Sequence, residues 1–124
     1  MIGYVTLGTN DLEAAVAFYD KIAKLLDTPR MMEGETYVAW GAMDGGAGIG
    51  VMKPFDGEPA SVGNGVMVAL LARDEARVKE IYDTALANGG TDEGAPGPRG
   101  EGFYAAYFRD PDGNKLNAFV MTQG

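Results

Sequence analysis

Leu7, Asp11, Tyr19 and Asp20 recur as Leu70, Asp74, Tyr82 and Asp83, at one constant offset of 63 residues. A chain that repeats itself once is built from two like units, and each must present its apolar face to something other than water. Residues 11–26 carry Leu12, Ala15, Val16, Tyr19, Ile22, Ala23 and Leu26 at the i, i+3, i+4, i+7 spacing of a one-faced helix, with Thr9 or Asn10 as its cap. Residues 74–88 repeat the pattern through Val78, Ile81, Tyr82, Ala85 and Leu86, and Asn88-Gly89-Gly90 ends it, because glycine accepts a left-handed cap.

Strand-like runs surround these helices. They are Ile2–Gly8, Thr36–Gly41, Ala47–Lys53, Val66–Ala72, Phe103–Arg109 and Lys115–Met121, with weaker candidates at Arg30–Glu33 and Thr91–Glu93. Each half therefore reads as strand, helix, three strands. The fold class is α+β: two βαβββ modules, residues 1–54 and 66–124, within one domain of residues 1–124. Phe55–Gly65, rich in Gly, Pro and Ser, reads as the connection between modules, and Gly94–Gly102 as a long glycine-rich loop bearing Arg99.

What the chain can do chemically is narrowed first by what it lacks. There is no histidine and no cysteine among the 124 residues. This removes the Ser-His-Asp triad, the usual neutral-pH general base, histidine zinc sites and thiolate sites. The absence of cysteine fits a reducing compartment, and the cytoplasm is the expected location. The start, MIGYVTLGTNDL, reads as lacking a basic leader, and the longest apolar run, Val66–Ala72, is too short to span a bilayer. A net charge of −8 argues against nucleic acid and anionic membranes as partners, since both are bound through lysine and arginine.

Residues 110–119, DPDGNKLNAF, resemble an acidic metal loop at first sight. A calcium loop places its glycine sixth; here Gly113 is fourth, so the spacing fails. Asp112-Gly113 before an apolar run is a turn signal instead, and Asp110 and Asp112 are expected to bond the local backbone. GGAGIG at residues 45–50 precedes a strand where nucleotide loops require a helix, so it reads as a turn and strand start.

The opening YVTLGTNDLEAAVAFYD, the mid-chain GNGVMVAL, the PGPR loop and YFRDPDGNKLNAF, in this order and on an internal repeat, resemble the vicinal oxygen chelate superfamily. That superfamily includes glyoxalase I, bleomycin-resistance proteins and extradiol dioxygenases. The resemblance implies paired βαβββ units whose mixed sheets curl around a cleft, often completed by a homodimer. It also implies a metal held by histidine and glutamate at four equivalent positions, on the first and last strand of each module. Those positions fall on Tyr4, Met67 and Asn117, with the fourth among Ile49, Gly50 and Val51. A phenol, a thioether and an amide make a poor ligand set for hard ions or zinc, so no metal and no cofactor are expected.

What the resemblance leaves is the cleft. Strand periodicity puts Tyr4 with Thr6, Met67 with Ala69, and Asn117 with Phe119 on common faces. The expected partner is a small-molecule ligand, bound by Tyr4 and Asn117 as polar anchors, by Trp40, Met67 and Tyr107 as apolar surface, and by Arg99 as a grip for a carboxylate. The alternative is an enzyme: a lactoylglutathione lyase-like, isomerase or dioxygenase-like member, or a metal-independent catalyst using Tyr4 or a carboxylate such as Glu35.

Overall fold

A computed structural model describes residues 1–42 and 45–121. The elements follow the repeat: β1 (Tyr4–Gly8), α1 (Leu12–Leu25), β2 (Arg30–Glu33), β3 (Tyr37–Ala42), β4 (Gly45–Met52), then β5 (Val68–Leu71), α2 (Glu75–Ala87), β6 (Thr91–Pro98), β7 (Phe103–Arg109) and β8 (Lys115–Met121). Two four-stranded mixed sheets result, in the orders β1-β4-β3-β2 and β5-β8-β7-β6. In each the strand before the helix lies parallel to the last strand of the same module, while the other pairs are antiparallel. No helix among the described residues is long and apolar enough to cross a membrane.

The repeated residues hold equivalent places. Asp11 and Asp74 are the two N-caps, accepting from the backbone N–H of Ala14 at 3.1 Å and of Arg77 at 2.8 Å. An aspartate there satisfies a helix donor that has no partner within the helix, and it complements the positive end of the dipole. The cap of α1 is thus Asp11, where Thr9 or Asn10 was expected; Asn10 is instead occupied by the linker, bonding Ala60 through both its amide atoms. Gly89, at φ 98°, ends α2 in the left-handed conformation that its type favours.

The second departure concerns Gly94–Gly102. Residues 91–98 form β6, an edge strand paired with β7, and only the turn around Gly100 and Gly102, both at positive φ, remains loop. The strand begins at the weaker candidate Thr91–Glu93, and Pro96 and Pro98 obscure its continuation in the sequence; an edge strand tolerates proline because its outer N–H groups have no ladder partner to lose. Register shifts flank Gly94, so the strand bends along its length.

The apolar faces of both modules meet in one core, with Phe18, Tyr19 and Ile22 of α1, Val78 and Ile81 of α2, and Phe108, Leu116 and Ala118 of the second sheet. Polar contacts lock this junction. The Asp110 carboxylate is only 2% exposed and accepts from the Tyr19 hydroxyl (2.7 Å), the Asn114 amide nitrogen (2.9 Å) and the backbone N–H groups of Asp112 and Asn114 (both 2.9 Å). Asn114 also donates to Gly8 O at 2.9 Å, and Asp112 accepts from the Asn10 N–H at 2.9 Å. Asp110 bonds the local backbone as expected, whereas Asp112 accepts from the distant Asn10 N–H; through Tyr19, Gly8 and Asn10 the turn ties the second module to the first.

Burial, and then the neighbouring Asp110 charge, raise the Tyr19 phenol well above its ordinary value. Folding therefore favours the neutral hydroxyl. Its contribution is complete below about pH 10, where an unfolded phenol ionises, and is lost as pH climbs above that. Tyr19→Phe should lower the unfolding free energy by about 1–3 kcal/mol near neutrality, since it strands a buried acceptor site. Urea melts should also show the wild-type protein losing stability faster than Tyr19→Phe above about pH 10. Parallel pH dependences for the two proteins would show that Tyr19 is not the linked group.

Candidate functional site

Each sheet has one face against the helices and one turned away from them. Alternation along the strands decides which residues lie where. In β8, Leu116, Ala118 and Val120 enter the common core, so Lys115, Asn117, Phe119 and Met121 occupy the other face. Tyr107 is the cross-strand partner of Asn117, Ala69 pairs with Asn117 from the other side, and Arg109 pairs with Lys115. In the first sheet Leu7 enters the core and Val5 lines the groove beside α1, while Tyr4 and Thr6 line a cavity of about 290 Å³ with Met32, Tyr37 and Gly50.

The four positions at which a metal-binding relative would carry ligands can now be placed. Tyr4 is 55% exposed on β1, and Met67, just before β5, is 41% exposed. Thr6 pairs with Gly50 as Ala69 pairs with Asn117, so the fourth position is Gly50. A Cβ there would lie 3.2 Å from Ala39 Cβ and 3.3 Å from Val38 O, so any side chain at this position would need β3 to give by a few tenths of an ångström. No group of three or more His, Cys, Asp or Glu side chains among the described residues could hold an ion. A phenol, a thioether, an amide and a bare glycine do not fit the group's metal chemistry.

Asn117 is the most informative of these positions. It is 2% exposed, and its Oδ1 is a buried acceptor with no hydrogen-bond partner among the described residues. Leaving such an atom unpaired costs about 1–3 kcal/mol. Beside it stands Tyr107, and the Arg99 guanidinium and Lys115 ammonium lie 5.6 and 5.7 Å from the centre of that ring. Arg99 reaches back from the β6–β7 turn over a strand kept bare by glycine: a Cβ at Gly97 would lie 3.1 Å from Nη1, and one at Gly94 3.3 Å from Nη2. Its donors to Ala95 O (2.6 Å) and Pro98 O (3.3 Å) hold it there.

The structure thus brings Asn117, Tyr107 and Arg99 onto one face, with Met67 at its margin beside Arg109 and Lys115 in a cavity of about 390 Å³. Tyr4 lies on the other sheet. Trp40 belongs to neither face: it is 1% exposed in the core, its Nε1 donates to Asp20 at 2.9 Å, and its ring packs 5.6 Å from that of Tyr19. The guanidinium of Arg30, bonded to both Asp20 oxygens, holds that carboxyl below its usual range. One edge of Trp40 does line an apolar groove of about 530 Å³ between β1, β5 and α1, together with Val5, Ile22 and Leu70. Glu35 is exposed at an open depression with Lys53 and Asn10, apart from the other candidates.

Lys115 was not singled out in the sequence, although its position two residues from Asn117 already places it on the same strand face. Its approach to Tyr107 depends on the pairing of β7 with β8, which is a tertiary fact.

Comparison with known proteins agrees with this architecture. A sequence model of the Glyoxalase/Bleomycin resistance protein/Dioxygenase superfamily matches residues 1–118. No curated protein matches the chain. Among solved structures, a glyoxalase/bleomycin resistance protein from Albidiferax ferrireducens T118 is 33% identical, with a TM-score of 0.89 over 97% of this chain and 98% of that one. A glyoxalase-related enzyme from Fulvimarina pelagi (20% identity, TM-score 0.75, 97% and 87% of the two chains) shares the fold. So does a lactoylglutathione lyase from Agrobacterium tumefaciens (23%, 0.68, 97% and 92%). With the family pattern running through both modules and a relative superposing along its whole length, the chain belongs to the glyoxalase/bleomycin resistance protein/dioxygenase superfamily.

Proposed function

We propose that this protein binds a small organic molecule in an aromatic cleft without using a metal ion. The observation that carries the reading is Asn117 Oδ1, a buried and unpartnered acceptor at the position where metal-using relatives carry a carboxylate. An amide there exchanges a metal bond for a hydrogen bond to an organic donor. Tyr107 supplies aromatic surface beside it, and Tyr4 a phenol on the other sheet.

Tyr4 and Asn117 line different sheets, so one chain offers two half-sites. Apolar residues stand exposed around both: Ile2, Tyr4 and Met32 on the first module, Met67, Leu71 and Met121 on the second. Exposed apolar surface of this extent marks an interaction site. A homodimer that apposes the first sheet of one copy to the second sheet of its partner would complete the cleft and cover this surface. Sedimentation should therefore give twice the chain mass of 13.1 kDa. A monomer that nevertheless binds ligand with Tyr4 and Asn117 both protected would contradict the arrangement.

Two measurements test the binding reading. Protein purified without chelators should contain far less than one equivalent of any divalent ion, and an equivalent of bound metal would overturn the metal-free reading. Asn117→Leu should leave the unfolding free energy unchanged or raise it by up to about 2 kcal/mol, because it removes an unpaired buried acceptor, while abolishing ligand-induced thermal shifts. A loss of more than about 1 kcal/mol would mean that the amide is held by the fold and not kept for a ligand.

A further inference from the structure

We propose that the ligand of the second sheet is a small organic acid that also carries a hydrogen-bond donor, its carboxylate taken by Arg99 and Lys115 and its donor by Asn117. The inference rests on the binding reading above and adds the chemical class of the ligand.

The net charge of −8 would, taken alone, favour a cationic ligand. The local chemistry is opposite. Arg30, Arg73, Arg77, Lys79 and Arg109 each reach a carboxylate. Lys21, Lys24, Lys53, Arg99 and Lys115 have no carboxylate partner among the described residues, and of these Arg99 and Lys115 both stand over the one Tyr107 ring. Two like charges drawn to one ring in a protein with an excess of eight acids over bases form a local positive field that a ligand anion would relieve. Arg99 spends Nη1 and Nη2 donors on Pro98 O and Ala95 O, which fixes its plane and leaves its remaining N–H groups available; Lys115 makes no hydrogen bond among the described residues. A guanidinium so fixed suits carboxylate recognition.

The second observation is independent of charge. Asn117 Oδ1 asks for a donor, which a bare carboxylate lacks. Lys115 and Asn117 are two residues apart on one strand face, so their Cα atoms are separated by about 6.5–7 Å. One small molecule spans that distance. It must be an acid with an O–H or N–H group a few bonds from its carboxylate, and Tyr107 between the two offers a surface for an apolar or planar body.

Mandelate, phenylacetate and mandelamide separate these requirements: acid with donor, acid without donor, donor without charge. Titrations followed by backbone amide shifts should show saturable binding of mandelate centred on Tyr107, Lys115 and Asn117. Phenylacetate and mandelamide should each bind about tenfold or more weakly, the size of one lost charge-assisted or buried hydrogen bond. Arg99→Met and Lys115→Met should each weaken mandelate about tenfold while leaving the spectrum of the core unchanged and shifting the melting temperature by only a few degrees. Equal binding of mandelate and mandelamide, indifference to both methionine variants, or no saturable mandelate binding would overturn the inference. Neutral or cationic compounds that shift Asn117 while all three probes fail would overturn the acid assignment and leave the binding reading standing; a flat response to every compound would sink both.

Discussion

The Asp110 carboxylate holds the two modules in register. It is buried, and the four hydrogen bonds it accepts among the described residues come from its own turn and from Tyr19 on the opposite module. A buried charge needs donors on every side, and these can be supplied only if α1, the end of β1 and the β7–β8 turn arrive together. The same turn launches β8, so the contact that joins the modules also sets where Lys115 and Asn117 stand. The site is positioned from its base: Asp110 bonds the Asn114 N–H, Lys115 follows, and Asn117 comes two residues later on the same face.

From that junction the two sheets carry their outer faces away in different directions of use. The first bears Tyr4, Thr6 and a glycine, Gly50, closely packed against β3. The second bears an amide oxygen without a partner and two cations without carboxylates among the described residues. The strands, caps and turn of the superfamily are kept, while the equivalent ligand positions carry a phenol, a thioether, no side chain and an amide. Trp40 shows the other side of this division. Although aromatic and on a strand of the first sheet, it serves the core, bonded to Asp20 and packed on Tyr19.

Much of the fold was legible because the repeat is local. Asp11 and Asp74 cap helices whose apolar spacing is written in a dozen consecutive residues, and the strand runs alternate visibly. Strand β6 was legible only at its start, residues 91–93; its continuation through residues 94–98 was hidden, since glycine and proline are the signature of a loop unless an edge position, which only the sheet order reveals, makes them tolerable. The site was legible in the same proportion. Alternation placed Asn117 with Phe119 and Tyr4 with Thr6, whereas the convergence of Arg99 and Lys115 on Tyr107 comes from pairing across β6, β7 and β8 and has no trace in spacing. The side on which Trp40 lies could not be read either, because Val38, Ala39, Trp40 and Gly41 are buried in succession and show no alternation.

The most direct test is a crystal structure of the protein as purified from cells, at a resolution that separates an organic molecule from an ion. Density for an organic ligand should lie against Tyr107, with a donor atom within hydrogen-bond distance of Asn117 Oδ1 and no ion bonded to it. A compact, multiply coordinated ion between Tyr4, Met67 and Asn117, or an Asn117 amide satisfied by the protein's own groups, would contradict metal-free binding at this face.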